Sequence, residues 1–427
     1  MYRKIYIAAC LIVFTSLIQK VSVAQTPREA EVQFQYGNAL KAQGKLDEAI
    51  AAYREAIRIN PNSAKFYNNL ALALKAQGKL DEAITNYRQA LRLNPRIAAI
   101  HYNLGVALAE NNQLAEATLE FEEAIRIQPF FAEAYNNLGT VLQAQGQTIE
   151  AMAAFRQATN INPRLKSAQM NLASLLYQKG QFQEALAVLK QAITFIPNQP
   201  ELQLKLANSL KAVGDIPEAL AIYRQITSSQ PNNVEAQFNL AMLLQQQKQP
   251  QEAITAYKKV IALQPNNSEA FKNLGSLLLA QGELREAVEA YDKALALNPS
   301  LQDELKQSLV ETRLKLAEQY VNAGQMIEAI AQWQKVVKIE PNLPEIHRIL
   351  ADALMEQQRY TEAIPVYREV IRLTSPTARI YNNLGIALYQ TGQREQAISA
   401  WREAIRIDPY YGEAYLNLGN ALSQQQR

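Results

Sequence analysis

The chain has 427 residues, with 43 Lys plus Arg against 40 Asp plus Glu, two histidines and one cysteine. So even a balance leaves no basic field to draw nucleic acid or anionic lipid. His101 and His347 lie too far apart, and Cys10 is too isolated, to make a histidine-rich metal site or a Cys–His pair; no Gly-rich phosphate loop is present either.

Arg3 and Lys4 precede an apolar run from Ile5 to Ile18, and Ser22-Val23-Ala24 supplies small residues before Gln25. That three-part pattern predicts a secretory signal peptide over 1–24, cleaved after Ala24. The run is short for a bilayer span. Most of it follows Cys10, which argues against a lipoprotein anchor. Removing the leader would remove the only cysteine, leaving no thiol chemistry in an oxidising compartment. Arg3, Lys4 and Lys20 also account for the whole excess of 43 basic over 40 acidic residues. Thr26-Pro27-Arg28-Glu29 then reads as a capping box with proline at the first helical position.

From there a ruler of prolines sets the beat. Pro61, Pro95, Pro129, Pro163, Pro197, Pro231, Pro265 and Pro299 recur at a period of 34, and Pro341, Pro376 and Pro409 resume it after an eight-residue slip. A fixed period in this range is the mark of a solenoid. Within 64–97, Tyr67, Leu70, Ala71 and Leu74 form one helical face. Gly78 ends that helix. Asp81 and Glu82 open a second one, where acidic groups suit the positive end of the dipole. Ala83, Tyr87, Ala90 and Leu91 are its buried stripe, and Asn94-Pro95 closes the repeat. Small Ala71 and Ala83 let the two helices approach while Tyr87 fills the space beside them. The same slots return as Gly105, Ala117 and Phe121, then as Gly139, Ala151 and Phe155.

This spacing of aromatic, Leu, Gly or Ala, Ala, aromatic, Ala and Pro resembles the tetratricopeptide repeat family. Eleven copies start at Ala30, Ala64, Ala98, Ala132, Lys166, Pro200, Val234, Ser268, Val310, Pro344 and Ala378, and a lone helix from Gly412 follows. The resemblance implies an all-α, right-handed α-solenoid of about eleven helix-turn-helix repeats with a C-terminal capping helix. Eight repeats occupy 25–301. The extra residues 302–309, QDELKQSL, keep a stripe of Leu301, Leu305, Leu309 and Leu316, and predict about two added helical turns before the three repeats and cap of 310–427.

In this family the first helix of each repeat lines the inner groove. The sixth position there carries Asn69, Asn103, Asn137 and Asn171 in succession, then Asn239, Asn273, Asn383 and Asn417, with Lys205, Lys315 and Ile349 interrupting. The series resembles the asparagine ladder in the repeat half of the O-linked N-acetylglucosamine transferases, although no catalytic domain of that kind is present. An amide that donates and accepts can clasp any peptide backbone, with flanking Asn68, Tyr102, Asn136 and Tyr177 supplying selectivity. The opposing reading is that these amides bond only to neighbouring helices. A family clamp for chaperone C-termini needs basic residues where Tyr102 and Val106 stand, and so is not expected. His101 and His347 occupy aromatic slots and read as packing residues.

The sequence therefore predicts an exported, periplasmic or otherwise extracytoplasmic, non-enzymatic scaffold without cofactor. It would hold an extended protein segment in its groove during assembly or maturation of a complex. Two rival roles are a recruiting subunit for a separately encoded enzyme and a self-associating spacer.

Overall fold

A computed structural model describes residues 27–425; the leader predicted at 1–24 lies outside them. Among the described residues there are 23 α-helices, one 3-10 turn and no strand. They form two compact units, one ending at Ile222 and one beginning at Tyr223.

In the first unit, α1 (Pro27–Ala42) pairs with α2 (Leu46–Ile59), α3 (Ala64–Ala76) with α4 (Leu80–Leu93), and α5 (Ala98–Glu110) with α6 (Leu114–Ile127). Next come α7 (Ala132–Ala144) with α8 (Thr148–Ile161), α9 (Lys166–Gln178) with α10 (Phe182–Phe195), and α11 (Pro200–Val213). The division falls inside α12 (Ile216–Ser229). The second unit continues with α13 (Val234–Gln246), α14 (Pro250–Leu263), α15 (Ser268–Gln281) and α16 (Leu284–Leu297). After it come α17 (Gln302–Asn322), α18 (Met326–Ile339), α19 (Pro344–Glu356), α20 (Tyr360–Leu373), α21 (Ala378–Gln390), α22 (Arg394–Ile407) and α23 (Gly412–Gln425). Each unit is thus an α-solenoid of paired helices.

The pairing follows from side-chain size. Ala71, Ala83 and Tyr87 are all fully buried. Where the same slot holds glycine, a Cβ would lie 2.7 Å from the Tyr53 ring at Gly37 and 2.7 Å from the Phe155 ring at Gly139. The aromatic ring of the second helix occupies the volume that a side chain on the first would need, so the two axes close up.

The turns are equally determined. Gly78 adopts φ +79 with nothing within 4 Å of its missing Cβ, so backbone conformation alone selects it. Asn112, Lys248 and Gln358 hold the same left-handed slot, at φ 58, 56 and 57, without that freedom. At the repeat boundary Asn94 Oδ1 accepts the amide of Arg96 at 3.2 Å, and Asn60, Asn162 and Asn298 repeat the bond. The asparagine thereby bridges over the proline, which has no N–H to give.

Residues 302–309 belong to α17, a helix of 21 residues; Leu305, Leu309 and Leu316 are buried along it, and Leu301 is buried in the 3-10 turn before it. Elsewhere the second helices are linked by exposed pairs 28 residues apart: Arg54–Glu82 at 3.0 Å, Arg156–Glu184 at 2.6 Å, Lys190–Glu218 at 3.0 Å and Arg224–Glu252 at 2.8 Å. Glu82 therefore does more than complement a helix terminus. Before the long helix the polarity reverses. Asp292 takes the slot of the basic residue and receives Arg313, which is 2% exposed and also donates to Gln332 Oε1 at 2.7 Å.

Asp292→Ala strands a buried guanidinium and should cost about 2–3 kcal/mol, whereas Arg224→Ala should cost less than about 1 kcal/mol. Urea denaturation followed by the fluorescence of Trp333 and Trp401, both in the second unit, would compare them. Gln358→Gly relieves a left-handed non-glycine residue and should raise stability by about 1 kcal/mol in the same assay.

Candidate functional site

The ladder asparagines sit on first helices, Asn69, Asn103, Asn137 and Asn171 on α3, α5, α7 and α9, and each spends part of its amide on its neighbours. Asn103 Nδ2 donates to Asn68 Oδ1 at 3.1 Å, 35 residues back. Asn68 Nδ2 passes the chain to Asn69 Oδ1 at 3.1 Å, and Asn69 Nδ2 donates to Asn38 Oδ1 at 2.9 Å, which also accepts the Tyr53 hydroxyl at 2.8 Å. The relay repeats from Asn171 through Asn136 and Asn137 to the Tyr102 hydroxyl, with bonds of 3.0, 3.1 and 3.1 Å.

The second unit uses the same offset. Asn417 Nδ2 donates to Asn382 Oδ1 at 2.9 Å, and Asn383 Nδ2 reaches the Tyr367 hydroxyl at 3.2 Å. Asn273 bonds the Tyr257 oxygen; burial pushes that phenol up to about 12 and the Asn273 bond works against the rise. Asn239 is buried. The ladder is therefore a stitch between consecutive repeats. Asn136, expected among the flanking selectivity positions, is buried with both ends of its amide engaged.

Open capacity remains on this face. Asn69, Asn103, Asn137, Asn171, Asn273, Asn383 and Asn417 are half-buried, as are Asn68, Tyr102 and Tyr177. Asn103 and Asn171 each make a single donated bond. Tyr177 helps to line a cavity of about 220 Å³ with Ser174, Leu189, Lys205 and Asn208, where Lys205 interrupts the ladder. Its ring meets Phe182 edge-on at 4.9 Å.

His101 does more than pack. It is 8% exposed, with Nδ1 2.6 Å from Glu120 Oε2 and Nε2 2.9 Å from the carbonyl of Pro95. Burial alone would depress its pKa, but the bonds to Glu120 and to that carbonyl raise it above the usual 6.5. Both ring nitrogens face acceptors, as an imidazolium requires. Gln169 and Gln237, in the same slot, donate to the carbonyls of Pro163 and Pro231 at 3.1 and 3.2 Å. The recurrence of His and Gln four residues into a repeat was the available signal. Among the described residues no group of three or more His, Cys, Asp or Glu is placed to hold a metal ion, and no helix is long and apolar enough to cross a membrane.

Stacked helix pairs with a periodic polar face define a helical-repeat module. Models of tetratricopeptide repeats match residues 222–255, 240–301, 351–392 and 387–426. A model described as the C-terminal domain of cilia and flagella-associated protein 70 matches 12–237, more than half of the chain. The chain belongs to the tetratricopeptide repeat family that these models describe. Such repeats are in general interaction modules for proteins rather than catalytic units.

Comparison with curated proteins returns no match. Among solved structures, the C-terminal part of a repeat protein from Cytophaga hutchinsonii is 19% identical, with a TM-score of 0.50, covering 56% of this chain and 99% of that one. PilF of Pseudomonas aeruginosa is 24% identical, with a TM-score of 0.43 over 49% and 96%. YrrB, described as having an unusual peptide-binding site, is 23% identical, with a TM-score of 0.40 over 43% and 95%. At these identities the likeness is one of fold.

His101→Gln keeps a donor for the Pro95 carbonyl and removes the charge. Because the folded-state pKa of His101 is raised, the stability it adds is fully present below about 6.5 and is lost as pH climbs through the raised value. The stability advantage of the native chain over this variant should therefore shrink between about pH 6 and about pH 9. Urea denaturation followed by circular dichroism at both values would show a constant difference if the histidine were neutral throughout.

Proposed function

We propose that this protein is a non-catalytic scaffold that holds an extended protein segment along the face formed by the first helices. The observation that carries this reading is the row of half-exposed, uncharged amides that spend only part of their hydrogen-bonding capacity on each other. First helices in contact lie roughly 8–10 Å apart and an extended chain advances about 3.3 Å per residue. One asparagine per repeat would then meet about every third residue of a bound strand. Amide-to-backbone bonds give affinity with little regard for side chain, which suits assembly or maturation of a complex. The leader pattern at 1–24 supports an extracytoplasmic setting for that work. Handing substrates to a separately encoded enzyme would use the same face and would differ only in the partner.

The stitching bonds make wholesale alanine replacement a poor test, since each lost bond costs about 1 kcal/mol of fold stability. Photo-crosslinking avoids that. A benzophenone side chain at Asn103 or Ser174, on the amide face, should capture a partner in the native fraction. The same group at exposed Leu119 or Ile149, on second helices, should not. Equal capture at both pairs, or capture at the second helices alone, would move the site off the amide face. A single stoichiometric enzyme among the adducts would favour the recruiting role.

A further inference from the structure

Three repeats share a device in which the tyrosine of the second helix sends its hydroxyl to the ninth residue of its own first helix. Tyr53 donates to Asn38, Tyr291 to Ser276 at 3.2 Å and Tyr367 to Asp352 at 2.7 Å. In the α17–α18 pair this device is missing, and the positions around it change on α17 and α19. Trp333 stands in the tyrosine slot and has no hydroxyl, Ile349 stands in the ladder slot, and Leu314 takes the fifth position. The ninth residue, Glu318, is left exposed and bonds nothing among the described residues; nor does exposed Glu356.

A cavity of about 570 Å³ opens there, lined by Leu314, Trp333, Ile346 and Ile349 together with Glu318 and Glu356. Its other charges are already spent. Arg348 bonds Glu345 and lies 3.2 Å from Asp352, which also receives Arg379 at 3.0 Å. An apolar floor with two uncommitted carboxylates remains.

We propose that this pocket takes a bulky apolar side chain of a bound protein segment whose neighbouring residue is Lys or Arg. The inference rests on the scaffold reading above and specifies the partner's sequence chemistry. Burying the apolar side chain drives binding, and the unpaired carboxylates select the adjacent cation at close range.

The test uses full-length protein carrying Trp401→Phe, so that Trp333 is the only indole. The probes are fluorescein-labelled twelve-residue Gly-Ser peptides with a central Phe-Lys, Phe-Glu or Ala-Lys pair. Phe-Lys should bind at least about tenfold more tightly than either control, a difference of about 1.4 kcal/mol, and should shift Trp333 emission. Glu318→Gln with Glu356→Gln should remove the preference for Lys over Glu while leaving the urea midpoint unchanged. Ile349→Asn should abolish the Trp333 shift. Equal binding of all three peptides, or binding without a Trp333 change, would overturn the proposal. So would a Trp333 shift that depends on protein concentration without peptide, which would assign the pocket to a second copy. Crosslinks at Asn103 or Ser174 with no Phe-Lys binding would sink the pocket alone and leave the scaffold reading standing.

Discussion

Close approach of the two helices within a repeat rests on one contact, a large side chain of the second helix, aromatic everywhere but at Leu189, seated where the first has no more than a methyl group. Tyr53 over Gly37, Phe121 over Gly105 and Phe155 over Gly139 leave no room for a Cβ. The ring fixes the axis separation, and that separation brings the polar positions of neighbouring first helices within hydrogen-bond reach. The amide relays on α3 to α9 depend on it. So does the Trp333 pocket, where the same slot is filled by a larger ring without a hydroxyl.

Much of this was legible in the sequence, because it repeats. One period supplies the apolar faces, the left-handed turn at Gly78 and the Asn-Pro boundary, and later copies return to the same slots with substitutions such as Asn112 for the glycine and Gln128 for the asparagine. Hydrogen-bond partners were less accessible. The ladder was visible as a column of asparagines, yet whether an amide faces a ligand or a neighbour depends on the register between repeats. Asn103 reaches Asn68 rather than its own counterpart Asn69, and no composition rule chooses between them. Asn136 looked like a groove residue by position and is buried by its two bonds.

The missed residues are those that break the period. Asp292 stands where the repeat calls for Arg or Lys, and Arg313 where it has tended to place an aromatic, His or Gln. Each is unremarked alone; together they close the irregular step before α17. The slot of His101 is aromatic in several repeats, which by itself predicts a packing residue. Its partner Glu120 lies 19 residues away on the second helix, a spacing also used by Arg313 and Gln332.

The offsets of the stitching bonds bear on how such a chain can lengthen. Pairs on the second helices span 28 residues and amide bonds on the first helices span 35, and both link one repeat only to the next. Duplication or loss of a whole 34-residue unit in the regular region keeps both offsets at the new junction, so a pairing survives wherever the joined slots still hold matching residues, as Arg54 would with Glu116. An insertion of another size enjoys no such protection. The eight residues before Val310 needed a private solution, with reversed charges at Asp292 and a buried Arg313. The gene can thus grow by tandem duplication at little cost in fold, while an odd-sized insertion persists only where compensating substitutions have accumulated around it.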